Sequence, residues 1–521
     1  MAGNWGFIGP TYQSENPTVD AERCLNLYPE IIESGHGPSA SKLAYYHTPG
    51  TTLFKSGLSS PVRALWSGNN RLFVLAGANL YELNVTTGAI LATYTLASPA
   101  GAGPGQIVFV PSGPGLTGAS SGALLVWDGS SGFDGTNTYA NVWYVDGTTS
   151  TPPAVISGVG IGVIDGYAVV LRPGCSVAAG AADPIPINTI DQTQFNLSAI
   201  FLPATFDPLQ FGIKTGAGDA LQSIFTPGSV GGGGPEELWL LGQKTIEVWY
   251  DTGGSSLDPF PFQRVPGAFI NEGQWAAQSV AMANNMITFL GGDDRGVGIV
   301  WAMNGYTPVR ISNHAVELAF QATQVAGSNL SSAVAYTYQE NGHVFYVLTF
   351  PGGRTFVADF SCQDASGRPM WHERARGSAL GSLSPSWQFH TWTAGQHFVG
   401  GDGTGSVYVA STAVYQDHGT AILRCRVGPA ISQENAWLRH AQFWLAIGAP
   451  FSTSRTFKLD WSNDGGNSYG NQFSLGVQQE ATTGFGRVLM NNLGRSRQRN
   501  YRVQTTDNAA QAWIDAYVAI A

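Results

Sequence analysis

The residues best suited to chemistry are acidic and glycine-rich runs, but none has the context that the matching reaction needs. Asp293 and Asp294 are adjacent carboxylates, a pair that suits acid and base work. They lie in a Gly-Gly-Asp-Asp-Arg-Gly turn, where aspartate usually bonds its own backbone. Residues 113–118 match a dinucleotide-binding loop and residues 118–122 a nucleophile elbow, yet both mechanisms need a helix after the turn, and a strand pattern follows here. We therefore predict no catalytic residue, no cofactor and no enzyme activity.

The histidines and cysteines do not have the spacing of a metal site. Nine histidines are present without an H-E-x-x-H motif, and the nearest pair, His390 and His397, flanks a glycine turn. The four cysteines are far apart and never form a C-x-x-C pair, so neither a structural zinc site nor a disulfide framework is expected. Buried free thiols, made in a reducing compartment, are predicted for Cys24, Cys175, Cys362 and Cys425.

One loop, Asp460–Asn471, has two interpretations. Oxygen-bearing side chains alternate and Gly465 stands at the sixth position, as in a calcium loop, but the twelfth position is Asn471 instead of a bidentate glutamate. The overlapping run Ser462–Tyr469 resembles the Asp-box hairpin of sialidase-like propellers, where the motif stabilises a turn far from the chemistry. We favour the hairpin, and the sequence leaves calcium binding open.

A cluster of arginines near the end of the chain is the candidate interface. Alternate spacing in a strand would put three of them on one face. Guanidinium groups can bind phosphates or an acidic protein surface. Because the chain has a net charge of −10, a protein interface is favoured over DNA binding. The cluster consists of Arg487, Arg495, Arg497, Arg499 and Arg502, of which Arg495, Arg497 and Arg499 alternate.

The elements that position these residues are predicted to be short β-strands. Apolar or alternating runs bounded by Gly, Asn, Ser or Pro recur along the chain, for example Val62–Trp66, Arg71–Ala76 and Glu237–Leu241. Helical patterns are nearly absent: Asn313 could cap a short helix over His314–Phe320, and residues 508–521 fit a helix or a strand equally well. The chain is therefore predicted to be all-β.

An internal repeat indicates how the strands are grouped. The pattern over Gly291–Tyr306 recurs over Gly400–Tyr415, at a constant offset of 109 residues. Leu72–Leu83 looks like a looser third copy. Each copy is interpreted as a strand, a tight turn and a second strand, and such hairpins stack into propellers when neither face can be buried alone. The repeat leaves the number of blades open.

Composition excludes several classes of protein. The 521 residues include 67 glycines and only 12% charged residues, but 12% are aromatic, which predicts a folded, turn-rich chain instead of a disordered one. The first residues lack the pattern of a secretory signal, and no run approaches the roughly 20 apolar residues of a membrane span. We predict an extended arm over residues 1–60, a propeller-like body with Gly/Ser-rich insertions over 61–427, and a β-sandwich or platform domain over 428–521.

Several segments, taken in order, resemble the tail hub, or nozzle, proteins of short-tailed phages, also called packaged-DNA-stabilising proteins. The agreement runs from about residue 20 to 425 and is looser in the Gly/Ser-rich insertions and over Asp460–Arg502. The segments are Ala21–Glu30, Thr48–Gly50, Glu237–Gly242, Thr245–Tyr250, Pro261–Ile270, Leu290–Gly292, Gly305–Ser312, His314–Glu317 and Gly400–Asp402.

The resemblance implies a structural protein of the virion tail, assembled in the host cytoplasm. Such a protein closes the head after packaging, stabilises the packaged DNA and forms a hexameric conduit below the portal and its adaptor ring. Tail fibres or tailspikes, a needle or plug, and transiently passing duplex DNA are the implied partners. The N-terminal arm would then lie at a ring-to-adaptor or subunit junction. The alternative from another class is a propeller glycosidase or carbohydrate-binding tail protein acting on host surface sugars.

Overall fold

The computed structural model describes residues 2–33, 43–96, 103–111, 122–130, 141–147, 149–171, 193–227, 236–253, 260–292, 298–326, 329–448, 455–479 and 485–520. Within these ranges nearly every regular element is a β-strand, so the predicted all-β class is confirmed. None of the helices in the described part of the chain combines the length and apolar character needed to cross a bilayer.

Six separate sheets in the described part of the chain form propeller blades. Blade 1 contains strands Val62–Gly68, Arg71–Ala76, Asn79–Leu83 and Ile90–Thr95. Blade 2 contains Gln106–Val110, Ala123–Trp127, Val142–Val145 and Ala154–Ile156. Blade 3 contains Gly160–Ile164, Tyr167–Leu171, Gln194–Ala199 and Leu202–Ile213. Blades 4 and 5 contain Leu221–Phe225, Glu237–Gly242, Ile246–Asp251 and Phe262–Ile270; and Ala281–Ala283, Met286–Gly292, Gly298–Asn304 and Thr307–Arg310. Blade 6 contains Phe389–Thr393, Gln396–Gly400, Val407–Ser411, Gly50–Lys55, Gln416–Asp417 and Thr420–Ala421.

A further four-stranded meander lies between blades 5 and 6, and we call it the bridging meander. Its strands are Val334–Glu340, His343–Thr349, Thr355–Gln363 and Pro369–Arg376. Residues in or beside the first strand of every blade and of this meander line one central cavity, among them Leu65, Ile161 and Tyr336. In the described residues seven units therefore surround the centre, six as separate sheets and one as part of a larger sheet.

The ring is closed by a strand from the beginning of the chain. Gly50–Lys55 pairs antiparallel with Val407–Ser411, the third strand of blade 6. The fourth strand of the last blade thus precedes the first blade in the sequence, and this pairing holds the two ends of the propeller together.

Apolar side chains are shared between neighbouring blades. Phe73 and Leu75 of blade 1 pack with Leu124 and Val126 of blade 2 in one cluster, and similar clusters join the later blades. The second strand of blade 1 is buried from Leu72 to Ala76 because both of its faces are covered, whereas most of the outermost strand is exposed. This explains why the middle strands are continuous apolar runs.

The internal repeat corresponds to one position in the propeller. Its three copies are the hairpins between the second and third strands of blades 1, 5 and 6. The predicted helix is also present, and it continues further than expected, as His314–Val325. It begins after Asn313, because the Asn313 side chain accepts a hydrogen bond from the Val316 backbone N–H at 2.9 Å. The remaining helical turns are Ala277–Ser279, Leu330–Ser332 and Leu380–Ser382.

A second domain combines both ends of the chain. Its strands are Ala2–Asn4, Tyr12–Gln13, Ala21–Leu25, Leu27–Ile31, Leu43–His47, Arg424–Val427, Ile431–Ser432, Leu438–Gly448, Thr456–Ser462, Phe473–Gln479, Phe485–Asn491, Arg495–Ser496, Gln498–Thr505 and Ala512–Ile520, and Ser384–Pro385 extends the bridging meander. The ambiguous end of the chain, residues 508–521, therefore forms a strand over Ala512–Ile520.

The N-terminal segment is not a free arm. Gly3 pairs with Val518 and Tyr45 with Trp513 across neighbouring strands. Tyr45 and Trp513 are fully buried in one hydrophobic core of the second domain. Residues 2–4 and 43–47 therefore pair with the C-terminal strand of the same chain, while the contact of residues 1–60 with an adaptor and the boundaries at residues 60 and 427 stay predictions.

Candidate functional site

The predicted arginine interface separates into an internal and an exposed group. Arg499 is buried: its Nε donates to Asn463 Oδ1 at 2.8 Å and its Nη1 to the Leu493 carbonyl at 2.6 Å. Arg502 donates from Nε and Nη2 to the two carboxylate oxygens of Asp460, at 2.8 and 2.5 Å. Both guanidinium groups are held by acceptors of the second domain: Arg499 is buried, and Arg502, whose side chain is 17% exposed, is paired with Asp460.

The expected shared face of Arg495, Arg497 and Arg499 is wrong. Arg495 and Ser496 form a short strand, and a new strand begins at Gln498, so the alternation is interrupted at Arg497. Arg495 and Arg497 are exposed, whereas Arg499 points into the domain. Alternate residues share a face only within one uninterrupted strand, and the strand is interrupted here.

Exposed arginines lie against aromatic rings that are exposed, as in Trp437, or half-buried, as in Trp444 and Tyr517. The Arg497 guanidinium is 5.2 Å from the ring centre of Trp437, a side chain that is 62% exposed. Arg487 lies 5.5 Å from the ring centre of Trp444, which stacks on Tyr517 at 4.1 Å and an interplanar angle of 17°. We call these five residues the arginine–aromatic surface.

One strand carries both parts of this surface. Trp444 lies in Leu438–Gly448, and Trp437 directly precedes that strand, so the two residues are about 23 Å apart along it at roughly 3.3 Å per residue. Trp, Tyr and Arg are the residue types that contribute most to binding energy at protein interfaces. The surface therefore has the composition of an interface for an acidic protein partner.

An acidic patch lies on the propeller, between blades 3 and 4. The Asp165 backbone N–H donates to Glu236 Oε2 at 3.2 Å. Burial and the charges of Glu236 and Asp251 raise the pKa of Asp165. Among the described residues no arginine or lysine forms an ion pair with these three carboxylates. The patch is thus a site where an external cation would relieve repulsion between like charges.

The loop after Asp460 forms a hairpin. It connects the antiparallel strands Thr456–Ser462 and Phe473–Gln479. Hydrogen bonds from Ser462 and Ser468 lower the pKa of Asp464 to about 2, and Asp460 is paired with Arg502. The two carboxylates that would begin a calcium loop already have partners within the chain, which favours the hairpin interpretation.

Burial shifts the pKa values of described histidines and cysteines that the sequence singled out. His390 Nε2 lies 2.9 Å from His397 Nδ1, and burial together with His397 lowers the pKa of His390 to about 3. Burial raises the pKa of the Cys24, Cys362 and Cys425 thiols to about 12. No group of three or more potential ligands in the described residues could hold a metal ion. Asp293, Asp294, Cys175 and residues 113–118 lie outside the described residues.

A protein-family model matches the central part of the chain. Residues 188–415 match the family described as "Bacteriophage P22 Gp10, beta-propeller". The match covers less than half of the chain. The matched region includes blades 4 and 5, the bridging meander and the three hairpin strands of blade 6. The match confirms the resemblance found in the sequence and supports a structural phage protein.

Solved structures show similarity at low identity. They include BamB from Moraxella catarrhalis, at 10% identity and a TM-score of 0.36, covering 75% of this chain and 97% of that one. The Pan2 WD40 domain from Neurospora crassa has 9% identity and a TM-score of 0.38, covering 70% and 94%. An exo-β-1,3-galactanase from Phanerochaete chrysosporium has 10% identity and a TM-score of 0.28, covering 91% and 100%. With such low TM-scores they carry no functional argument.

No curated protein sequence matches this chain significantly.

The aromatic residues of the candidate interface were not predicted from the sequence. Trp437, Trp444 and Tyr517 precede or follow the arginines by tens of residues, and only strand pairing brings them together. A signal was present in the sequence, because three tryptophans occur between residues 437 and 461 in the region of the arginine cluster.

Proposed function

We propose that this structural phage protein forms the hub of a short virion tail. It would assemble as a hexamer below the portal and its adaptor ring, close the head after packaging, stabilise the packaged DNA and form the conduit for DNA ejection. The observation that carries the proposal is the family match over residues 188–415 within a propeller. Tail fibres or tailspikes and a needle or plug would bind to the assembled hub.

The two charged surfaces support a ring. The arginine–aromatic surface lies on the second domain and the acidic patch on the propeller, so contact between them joins unlike faces of neighbouring copies. A contact of this heterologous kind generates a closed ring when its rotation closes. Opposite charges also favour correct encounter between copies.

The overall charge suits a conduit. Each chain has a formal net charge of −10, so a hexamer carries about −60. An acidic lumen would repel the phosphate backbone and let duplex DNA pass without adhesion. We therefore expect the lumen to be poor in arginine and lysine, with the exposed arginines at contacts between proteins.

Charge reversal tests this arrangement. One variant carries Arg487→Glu and Arg497→Glu, and the other carries Glu236→Lys and Asp251→Lys. Each is expected to remain monomeric at 55.1 kDa in mass photometry, under conditions where the wild type forms a species of about 330 kDa. An equimolar mixture is expected to restore rings, because each reversed surface then meets its reversed partner.

The exposed cation Lys458 provides the control, since it lies on a different strand of the second domain. Lys458→Glu should assemble like the wild type. Rings formed equally by all variants, or no rescue in the mixture, would contradict the proposed contact. A wild-type chain that stays monomeric with the adaptor present would contradict the hexameric hub itself.

A further inference from the structure

A large cleft lies between blades 4 and 5 and is separate from the arginine–aromatic surface. Its volume is about 910 Å³, within the range of 300–1,000 Å³ typical of small-ligand sites. One wall comes from the turn at Gln243 and Lys244 in blade 4 and from the connection Asn271–Trp275. The other wall comes from Trp301 of blade 5, the end of helix His314–Val325 and the turn Leu330–Ser332.

Two indoles line the cleft, and glycines make room for them. A Cβ atom added at Gly292 would overlap the Trp275 indole, and one added at Gly291 would lie 2.9 Å from Trp301 Cδ1 and overlap the Gly273 carbonyl. Only glycine therefore permits the present position of both rings. Both tryptophans are partly exposed. The double glycine of the sequence repeat thus shapes this cleft in addition to ending a strand.

The polar lining consists mainly of side-chain amides. Each amide offers both donors and acceptors, which matches the hydroxyl group, itself a donor and an acceptor. Gln274 has an internal role instead, because its amide bonds to Ser223 and to the Ala276 carbonyl. Asn329 is also engaged, because its Oδ1 accepts from the Ser331 backbone N–H at 3.0 Å. The remaining partly or fully exposed amides at the cleft are Gln222, Gln243, Asn271 and Gln324.

Charge is nearly balanced in the cleft. Among the described lining residues Lys244 is the single cation and Glu272 the single carboxylate. A nucleic-acid site would need several cations to neutralise phosphates. A glycosidase would need two carboxylates held roughly 5–10 Å apart. The described lining therefore favours a neutral ligand.

We propose that this cleft binds a neutral oligosaccharide, with a sugar ring stacked on Trp275 or Trp301 and its hydroxyl groups bonded to the surrounding amides. Partly exposed indoles, abundant amides and nearly balanced charge in the described lining are together what such a ligand requires. The inference does not depend on the hexameric hub. It adds a recognition site on the propeller, away from the second domain that carries the arginine–aromatic surface.

Binding is tested on the purified full-length chain with four neutral hexasaccharides, made of glucose, mannose, galactose or N-acetylglucosamine. Titration calorimetry and saturation-transfer NMR are expected to show saturable binding of at least one, with a Kd below 1 mM. Trp275→Ala should weaken that binding at least tenfold. Gly292→Ala should do the same, because the new Cβ displaces the Trp275 indole.

Gln243→Ala keeps the test valid if the tryptophan variant fails to fold, since Gln243 lies in an exposed turn. It should weaken binding severalfold with an unchanged Tm. Trp392→Ala is the matched control, because this indole is 60% exposed in blade 6, away from the cleft, and its Kd should stay within twofold of the wild type.

Three results would overturn the inference. The first is no saturable binding of any hexasaccharide up to 10 mM, and the second is binding that Trp275→Ala and Gln243→Ala leave unchanged. Release of reducing ends from a bound hexasaccharide is the third, since it would show an enzyme site instead of a binding site. Loss of adaptor binding in Gln243→Ala without any sugar binding would identify a protein segment as the occupant and equally refute the proposal.

Discussion

An ion-pair cluster at Glu373 joins the bridging meander to the second domain, and replacing Glu373 tests how the two parts are held together. Arg23 of the second domain donates from Nε to Glu373 Oε1 at 3.1 Å and from Nη2 to Oε2 at 2.9 Å. Arg354 Nη2 lies 2.5 Å from Glu373 Oε1. The Glu373 side chain is only 3% exposed. We predict that Glu373→Gln destabilises this junction at neutral pH.

The pKa of Glu373 gives the expected size of the effect. Burial acts to raise this pKa, but the charges of Arg23 and Arg354 and their hydrogen bonds outweigh it and lower the pKa from 4.5 to about 2. Such a shift corresponds to about 3 kcal/mol. Because the pKa is lower in the folded state, this stabilisation is present above about pH 4.5 and is lost as the pH falls towards 2.

Urea unfolding measures the difference. At pH 7 the free energy of unfolding of Glu373→Gln should be about 3 kcal/mol below the wild-type value, and the difference should shrink between pH 5 and pH 3. Glu82→Gln is the matched control, because Arg71 donates to Glu82 with similar geometry within blade 1. The Arg71 side chain is 51% exposed, so the free energy of unfolding should fall by less than about 1 kcal/mol. A difference independent of pH, or equal losses in both variants, would refute this reasoning.

Two further substitutions test the structural assignments. Arg502→Met should lower the free energy of unfolding by about 3–5 kcal/mol, because Asp460 is left buried without its partner. Replacement of the exposed Arg487 by alanine should change the same quantity by less than about 0.5 kcal/mol. Equal effects of the two substitutions in urea unfolding would contradict the division of the arginine cluster. Asn313→Ala should destabilise the chain by about 1 kcal/mol through loss of the helix cap on Val316, and an unchanged melting temperature would show that the cap contributes nothing.

Local signals in the sequence predicted the elements well. Strand patterns, turn glycines and the repeat correctly indicated a propeller, since each depends on neighbours a few residues apart. Asn313 predicted the start of the helix by the same kind of local chemistry. The pairing of Tyr45 with Trp513 had no such signal, because the whole propeller separates the two residues in the sequence.

The candidate sites were predicted less completely. The sequence showed that arginines cluster, but not that Arg499 is buried beside Trp461 while Arg497 is exposed beside Trp437. This distinction depends on a strand break at Arg497, which residue spacing does not show. Gly291 and Gly292 were interpreted as turn residues, and their role in admitting two indoles required the three-dimensional packing.

The most direct test of the hub is cryo-electron microscopy of the purified full-length chain with its adaptor ring. The account predicts a sixfold ring below the adaptor, with Arg487 and Arg497 at contacts between copies and a lumen lined by few cations. A monomer bound to no ring, or a ring whose lumen is lined mainly by Arg487, Arg495 and Arg497, would contradict it.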